Sequence, residues 1–397
     1  MKPTKDDVIA FRLRAHHLDR RTGAAGLLDA AGRCGVQDSP PGSALLALHA
    51  RVEDVTRDGL DAALGRDKSL LRSWCVRGAP FCFPTVDAPV FTTGVLPPDE
   101  AALRHFLLGA GPAVDRLGLG LTEAVDLTGA EIEDVLAGRR LDIRALGAET
   151  AARIARGLPK KRRALWEEEG PYAAGQPLGE AVVHFCVRVL TLRGVLCFAP
   201  RGGGTAPFVL VREWLGEPIP GVDPERARAE LLRRYLRCYG PSTRADFAAW
   251  LGVRAGDTGP WWDLVEDEMT AVGFGPRTAW ILTADLDALT GAGPAPKGVR
   301  LLPPRDPYTQ PLDRATLVDP RHHRAVWKTV GDPGTVLVDG GIAGTWRART
   351  SGKKASLRVS AFDAPWRERD KKALRAEAER IAVLRGAASV DVAFDIR

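Results

Sequence analysis

The apolar positions of this chain fall first into short helical stretches and then into pairs of strand-like runs. Positions 45–49 and 59–64 have apolar residues spaced for helices. Apolar runs at 74–76 and 81–83 follow, with a Gly/Pro turn between them. Two apolar runs around such a turn are typical of a β-hairpin. We therefore predict a segment of helices followed by a hairpin.

The same order recurs after about a hundred residues, which indicates a repeated architecture and not a strict sequence repeat. The second segment begins near Leu121, and residues 126–131 resemble the entry of a helix. A largely apolar stretch predicts a buried helix over 178–192, and runs at 195–198 and 208–211 predict a strand pair. The second segment is again helices followed by a hairpin.

The third segment has the clearest boundary signals. Asp223-Pro224 favours a helix start, and Gly240-Pro241 ends that helix. Residues 243–246 have the spacing of a capping box and open a second helix. We predict a third helix over 260–271 and a strand over 278–283. Helix, tight turn, helix and strand pair is the layout of a winged helix-turn-helix.

The chain changes character after residues 291–296, which are rich in Gly, Pro and Ala and indicate a linker. Beyond them, strand-like runs surround one amphipathic helix that contains Leu374 and Leu384. This part is predicted to be a small β-rich domain with one covering helix. The strand-like runs lie at 335–338, 342–346, 356–360 and 390–394.

Composition excludes several classes of protein. Among 397 residues, 45% are hydrophobic and 27% charged, which is typical of a globular chain and not of a disordered one. The most apolar stretch, 178–198, contains charged residues, so we predict no membrane partner. The N-terminus lacks the apolar core of a signal peptide, and we expect a cytoplasmic protein.

The six cysteines form no Cys-x-x-Cys pair, and several have apolar neighbours. We expect buried free thiols, no metal site and no cofactor. The net charge of +6 favours a polyanionic partner, although the excess is small for this length.

Several motifs, in the same order along nearly the whole chain, resemble the winged-helix proteins related to the bacterial DNA glycosylases that excise bulky alkylated or crosslinked purines, the family of the azinomycin-resistance glycosylase. The matching stretches are 11–15 (FRLRA), 35–40 (GVQDSP), 44–48 (ALLAL), 74–78 (WCVRG), 236–247 (LRCYGPSTRADF), 301–303 (LLP), 313–314 (DR), 336–340 (VLVDG) and 344–346 (GTW).

The resemblance implies an α+β fold of three tandem winged helix-turn-helix domains followed by a small C-terminal β-barrel-like domain. We expect the winged-helix domains at 1–117, 118–220 and 221–291, and the C-terminal domain at 296–397. The family's C-shaped array surrounds DNA, so the expected partner is double-stranded DNA, alkylated in the repair reaction, bound by a monomer. Such a protein is nucleoid-associated when it is bound to DNA.

The resemblance also implies where the chemistry lies. The family's catalytic motif, Gln-x-Gln or Gln-x-Asp, aligns with Gly35 and Gln37, so the first catalytic amide is missing and the motif is degenerate. We name Gln37 and Asp38 as the catalytic candidates. Gln37 can hold a water or face the sugar, whereas Asp38 acts either as a base or, as we favour, as a cap or turn former.

Basic residues in the winged-helix segments are the candidate DNA contacts. Arg12, Arg14 and His16 lie near the start, where the alternative is a solvated helix face with one packed imidazole. Arg77 lies in the first hairpin and Arg201 at a predicted wing tip, beside Gly202-Gly203-Gly204. The densest basic run, Lys160, Lys161, Arg162 and Arg163, is either a phosphate contact or a solvated face.

Three functions follow from these residues. The leading one is a monofunctional glycosylase that hydrolyses the N-glycosidic bond of bulky N7-alkylated purines, in DNA repair or in genotoxin self-resistance. The alternative is a non-catalytic or regulatory DNA-binding protein that lost the first glutamine, as Gly35 favours. In the third, the winged-helix segments are protein-interaction surfaces. A measurement of salt-sensitive DNA binding would argue against this third function.

Overall fold

A computed structural model describes residues 2–202, 204–291, 293 and 296–396. The helices are α1 (Lys5–Ala15), α2 (Leu27–Gly32), α3 (Ser43–Arg51), α4 (Arg57–Gly65), α5 (Ala88–Phe91), α6 (Glu100–Phe106), α7 (Gly111–Leu117), α8 (Leu121–Leu136), α9 (Ile143–Gly157), α10 (Lys160–Glu167), α11 (Leu178–Leu192), α12 (Val211–Leu215), α13 (Pro224–Tyr239), α14 (Arg244–Leu251), α15 (Gly259–Trp262), α16 (Leu286–Thr290), α17 (Arg314–Leu317), α18 (His323–Val326) and α19 (Glu368–Leu384).

The strands are β1 (Val36–Gln37), β2 (Leu70–Trp74), β3 (Pro80–Pro84), β4 (Leu196–Phe198), β5 (Phe208–Leu210), β6 (Met269–Phe274), β7 (Arg277–Leu282), β8 (Val299–Leu302), β9 (Gly334–Val338), β10 (Gly341–Ser351), β11 (Lys354–Ala361) and β12 (Ser389–Ile396). The fold is therefore mixed α+β, as predicted. No helix of the described residues is long and apolar enough to cross a membrane.

The chain divides into two compact units. Unit 1 comprises Met1–Leu60, Leu232–Trp250 and Val265–Arg397, and unit 2 comprises Asp61–Leu231 and Leu251–Leu264. In unit 2, α8, α9 and α11 pack against one another. The four domain boundaries expected from the sequence are not tested by this division and stay a prediction.

The three predicted hairpins are present. β2 pairs with β3, β4 with β5, and β6 with β7, each antiparallel. The helix predicted over 178–192 is confirmed with those bounds, and Thr243 and Asp246 form the predicted capping box before α14. The turn residue Gly203 and part of the predicted linker, Ala292, Pro294 and Ala295, lie outside the described residues.

Two predicted helices differ in the structure. α8 begins at Leu121, five residues before the predicted entry, because Glu123 accepts a hydrogen bond from the Gly120 N–H and caps the helix there. The helix predicted over 260–271 is wrong. Only α15 is α-helical, and a short 3-10 turn follows at Glu266–Glu268. Met269–Phe274 forms β6, because its β-branched residues pair with β7 across a turn at Gly275, where φ is +58°.

The C-terminal sheet of unit 1 is open. Its strand order is β12-β11-β10-β9-β8, with β11 and β12 parallel and the other pairs antiparallel. Strands β8 and β12 are therefore edges, and the described residues do not form the barrel-like closure that we expected. The covering helix α19 is confirmed and buries Leu374, Ala378 and Ile381.

Candidate active site and DNA contacts

Gln37 lies at the end of the two-residue strand β1 and is almost entirely buried, with 2% of its surface exposed. Its Oε1 accepts a hydrogen bond of 2.9 Å from Nε2 of Gln310, which lies 273 residues further along the chain. The same Gln310 nitrogen also donates to the carbonyl of Arg305. Two side-chain amides are thus fixed against each other in unit 1.

This pairing stands out because side-chain amides are scarce in the chain. The sequence has only three, Gln37, Gln176 and Gln310, and no asparagine. Reasoning from the sequence missed Gln310, since nothing in the local pattern connects it with Gln37. The scarcity of amides is the one signal in the sequence that could have pointed to it.

Gln310 is positioned by a short turn anchored to helix α3. The turn Pro307–Thr309 begins at Asp306, whose carboxylate accepts the Tyr308 N–H and also binds Arg51. Arg51, the last residue of α3, donates to both carboxylate oxygens, at 2.8 and 2.6 Å. Both side chains are buried, so this two-point ion pair holds the turn with little solvent screening.

Asp38 acts on the other end of α3. Its Oδ1 accepts the backbone N–H of Gly42 at 2.8 Å and that of Ala44 at 3.4 Å, at the start of the helix. Unpaired N–H groups at a helix start need such acceptors. The position of Asp38 therefore matches the cap and turn role that we favoured over the role of a base.

Gly35 has a backbone conformation that a side chain would strain. Its φ is +72°, in the left-handed region that favours glycine. A glutamine at this position would need to adopt an unfavourable backbone angle. The local backbone therefore favours glycine at the position where the family's motif has its first glutamine.

Two predicted DNA contacts lie in the interior of unit 1. Arg12 is 1% exposed, donates to the carbonyls of Gly240 and Pro241, and pairs with Asp313 at 2.9 Å. His16 is 2% exposed. Both side chains are buried in this structure, and their role as DNA contacts stays a prediction. The alternative of a packed imidazole is the one that His16 matches.

The other predicted contacts are nearer the surface. Arg14 is exposed, Arg77 is half-buried in the turn between β2 and β3 with φ of +55°, and Arg201 is exposed between β4 and β5. All three lie on segments other than β1, which carries Gln37. Their role as DNA contacts stays a prediction.

The basic run forms the first turn of α10 in unit 2. Lys160 and Lys161 are exposed and make no hydrogen bond or ion pair with the described part of the chain. Arg162 donates to the Gly118 carbonyl, and Arg163 to the Arg156 and Leu158 carbonyls. The two lysines are therefore available to an external anion, whereas the two arginines also hold the local structure.

One group of side chains in the described residues is arranged so that it could hold a metal ion. A ligand atom from each of His16, Cys34 and Cys238 lies within 4.8 Å of the others, in the interior of unit 1. All six cysteines are free and buried, which confirms the predicted thiol state.

Comparisons with known proteins agree on one relationship. The model of the family described as "DNA glycosylase AlkZ-like" matches residues 31–384. The chain is 28% identical over 360 residues to an interstrand DNA cross-link repair glycosylase of Streptomyces sahachiroi, covering 87% of this chain and 88% of the relative. The solved structure of the S. sahachiroi DNA glycosylase AlkZ matches with a TM-score of 0.75 at 25% identity, covering 99% of this chain and all of that one.

Proposed function

The chain belongs to the AlkZ-like DNA glycosylase family, and we propose that it hydrolyses the N-glycosidic bond of bulky N7-alkylated purines in duplex DNA. The observation that carries the proposal is the hydrogen bond between Gln37 and Gln310. Its S. sahachiroi relative is named for the repair of interstrand cross-links, which supports a bulky adduct as the substrate and repair or self-resistance as the purpose.

The chemistry requires neutral dipoles more than a strong acid. A purine alkylated at N7 carries a positive charge, so it leaves with the electrons of the C1′–N9 bond as a neutral base. The sugar becomes cation-like, and a water adds to C1′ and loses its proton. An amide oxygen can orient this water and face the developing positive charge without being ionised.

Gln310 supplies the amide that the degenerate motif lacks. Its hydrogen bond fixes the Gln37 oxygen in one orientation. The ion pair between Arg51 and Asp306 keeps the turn that carries Gln310 in position. In this proposal Gln37 acts on the sugar or the water, and Asp38 holds the start of α3.

Lys160 and Lys161 are the DNA contacts that the structure supports best. The N-terminal end of a helix carries partial positive charge, so cations there destabilise the helix. Four basic residues in the first turn of α10 therefore favour an external anion such as the DNA backbone. We also retain Arg14, Arg77 and Arg201 as phosphate contacts.

We further propose winged-helix domains at 1–117, 118–220 and 221–291 and a β-rich domain at 296–397, in a protein that binds double-stranded DNA as a monomer. Each of the first three contains helices followed by an antiparallel hairpin, which supports this division.

The test is release of N7-methylguanine and of a bulkier N7-alkylguanine from duplex DNA, detected as strand cleavage after alkali treatment. We expect release by the wild type and a loss of about a hundredfold in Gln37→Ala, the typical cost of removing one catalytic dipole. Gln176→Ala is the matched control, because it removes the remaining amide, which lies in unit 2 beside His184. Its rate should equal that of the wild type.

Gly35 supports the non-catalytic DNA-binding protein as a second candidate function. In that case neither adduct is released, while salt-sensitive binding to duplex DNA is retained. Equal release by the wild type and Gln37→Ala would contradict the proposed site but not the proposed activity. Loss of both release and binding in the wild type would contradict both candidate functions.

A further inference from the structure

His16, Cys34 and Cys238 form a compact donor set in the interior of unit 1. The three residues come from the C-terminal end of α1, the segment before β1 and the last turn of α13. One donor atom from each lies within 4.8 Å of the other two, and all three residues are buried. Tetrahedral ligands of zinc, at about 2.0–2.3 Å from the metal, lie roughly 3.5–4 Å apart, so only small adjustments are needed.

The imidazole of His16 has an unsatisfied nitrogen. Its Nε2 is buried and has no hydrogen-bond partner in the described part of the chain. The ring packs against Tyr239 and Tyr308, with centroids at 5.2 and 5.7 Å, so its orientation is fixed. Buried polar atoms are nearly always paired, and an unpaired one calls for an explanation such as an ion.

The sulfur of Cys34 lies close to other polar side chains in the interior of unit 1. The Tyr239 hydroxyl is 3.5 Å from this sulfur, and the donor atoms of His16 and Cys238 lie beside it. Cysteine binds metals as the thiolate, so a metal ion at this place would displace the thiol protons.

We propose that His16, Cys34 and Cys238 bind a zinc ion through one imidazole nitrogen and two thiolates. Binding releases the two thiol protons to solvent, and the resulting site carries no net charge. Softer donors such as thiolates select zinc over magnesium or calcium. A fourth position is left for a water or for the Tyr239 hydroxyl.

The site would stabilise both sides of the Gln37–Gln310 pair. Cys34 lies three residues before Gln37 in the chain. On the other side, the Tyr239 hydroxyl donates to the Pro307 carbonyl at 3.0 Å, in the turn that carries Gln310. The zinc ion thus has a structural role here, and the inference does not depend on the proposed glycosylase activity.

The test is the metal content of full-length protein purified under reducing conditions, treated with a chelator and reloaded with Zn²⁺ or Co²⁺. We expect about one ion per chain, with the absorption bands of thiolate-bound tetrahedral cobalt. Cys238→Ala should lose the ion and the bands. Cys186→Ala, another buried thiol, is the matched control and should keep both.

The stability of the wild type gives a second measurement should Cys238→Ala fail to fold. Zn²⁺ should raise the Tm of the chelator-treated wild type by a few degrees, and Mg²⁺ should not. A wild type that binds no stoichiometric metal and shows no such shift would overturn the proposal. So would a folded Cys238→Ala variant that binds the metal as well as Cys186→Ala does.

Discussion

The two units differ in that unit 1 buries several arginine ion pairs, besides exposed ones such as that of Arg321 with Asp319. In unit 1, the side chains of Arg12, Arg21 and Arg51 are at most 8% exposed, and they pair at 2.6–2.9 Å with carboxylates that are at most 7% exposed. In unit 2, arginines such as Arg139 and Arg153 pair with carboxylates while 47% and 39% of their side chains stay exposed. An arginine in the sequence is therefore not by itself a sign of DNA binding. Its burial decides whether it holds the fold or faces solvent.

The energetic consequences of the two arrangements also differ. Breaking a buried ion pair leaves an unpaired charge in a poorly solvated place and costs about 3–5 kcal/mol. An exposed pair is screened by water and contributes about 1 kcal/mol or less. The buried pair between Arg51 and Asp306 anchors the turn that carries Gln310, so its loss should affect the site as well as the stability.

The largest predicted effect separates these two classes of ion pair. Asp306→Asn removes the charge that faces Arg51 with almost no change in volume, and should lower the free energy of unfolding by about 3–5 kcal/mol. Glu149→Gln is the matched change at the exposed pair with Arg139 and should leave that free energy almost unchanged. Urea denaturation measures both. Similar losses in the two variants would contradict the difference between the buried and the exposed ion pair.

A second effect concerns pH. Burial and the nearby Arg21 guanidinium lower the pKa of His49 to about 4, with Arg380 and Arg300 acting in the same direction and Glu377 opposing them. Arg21 can only donate to His49 Nε2, which fits a neutral ring. The unfolded chain binds a proton near pH 6.5, so stability should be lost as pH falls from about 6.5 towards 4.

Between pH 7 and pH 5 this single histidine should cost roughly 2 kcal/mol. Urea denaturation at the two pH values measures the loss, and His49→Gln should reduce it by that amount. Ser351→Ala, an exposed change in unit 1 that removes no titratable group, is the control, and its pH dependence should match the wild type. If His49→Gln kept the pH dependence of the wild type, a neutral His49 would not be the source of the loss.

A smaller effect tests the exposed charges of unit 2. Lys160→Gln combined with Lys161→Gln should weaken binding to duplex DNA and reduce the slope of log K against log salt by about 2, close to one for each phosphate that is no longer neutralised. Lys353→Gln combined with Lys354→Gln, in the turn after β10 and at the first residue of β11, is a control of equal charge. A slope reduced as much by the control pair would indicate a general effect of net charge.

Elements whose signals are local could be predicted from the sequence. The 178–192 helix and the first two hairpins follow from apolar periodicity and turn residues that are close together in the chain. Strand β6 was missed because its pairing with β7 overrides the helical preference of its first residues. The edge strand β8 was missed because it has only four residues and its partner strand β9 lies far along the chain, at Gly334–Val338.

The contents of the site depend on contacts between distant residues, which periodicity does not reveal. Gln37 could be named from a resemblance, whereas Gln310 is brought to it by the turn anchored at Arg51 and Asp306. Arg12 looked like a surface cation because its partner Asp313 is 301 residues away. His16, Cys34 and Cys238 are also far apart in the chain, so no short motif with a fixed spacing marks them as a group.

The central question is whether Gln37 and Gln310 act as one catalytic pair. Single-turnover kinetics of base release test this in Gln37→Ala, in Gln310→Ala and in the double variant. We predict that the double variant releases an N7-alkylguanine no more slowly than Gln37→Ala alone, because residues that act as a unit give non-additive losses. Losses that multiply in the double variant, or a Gln310→Ala rate equal to that of the wild type, would contradict a joint role for the two amides.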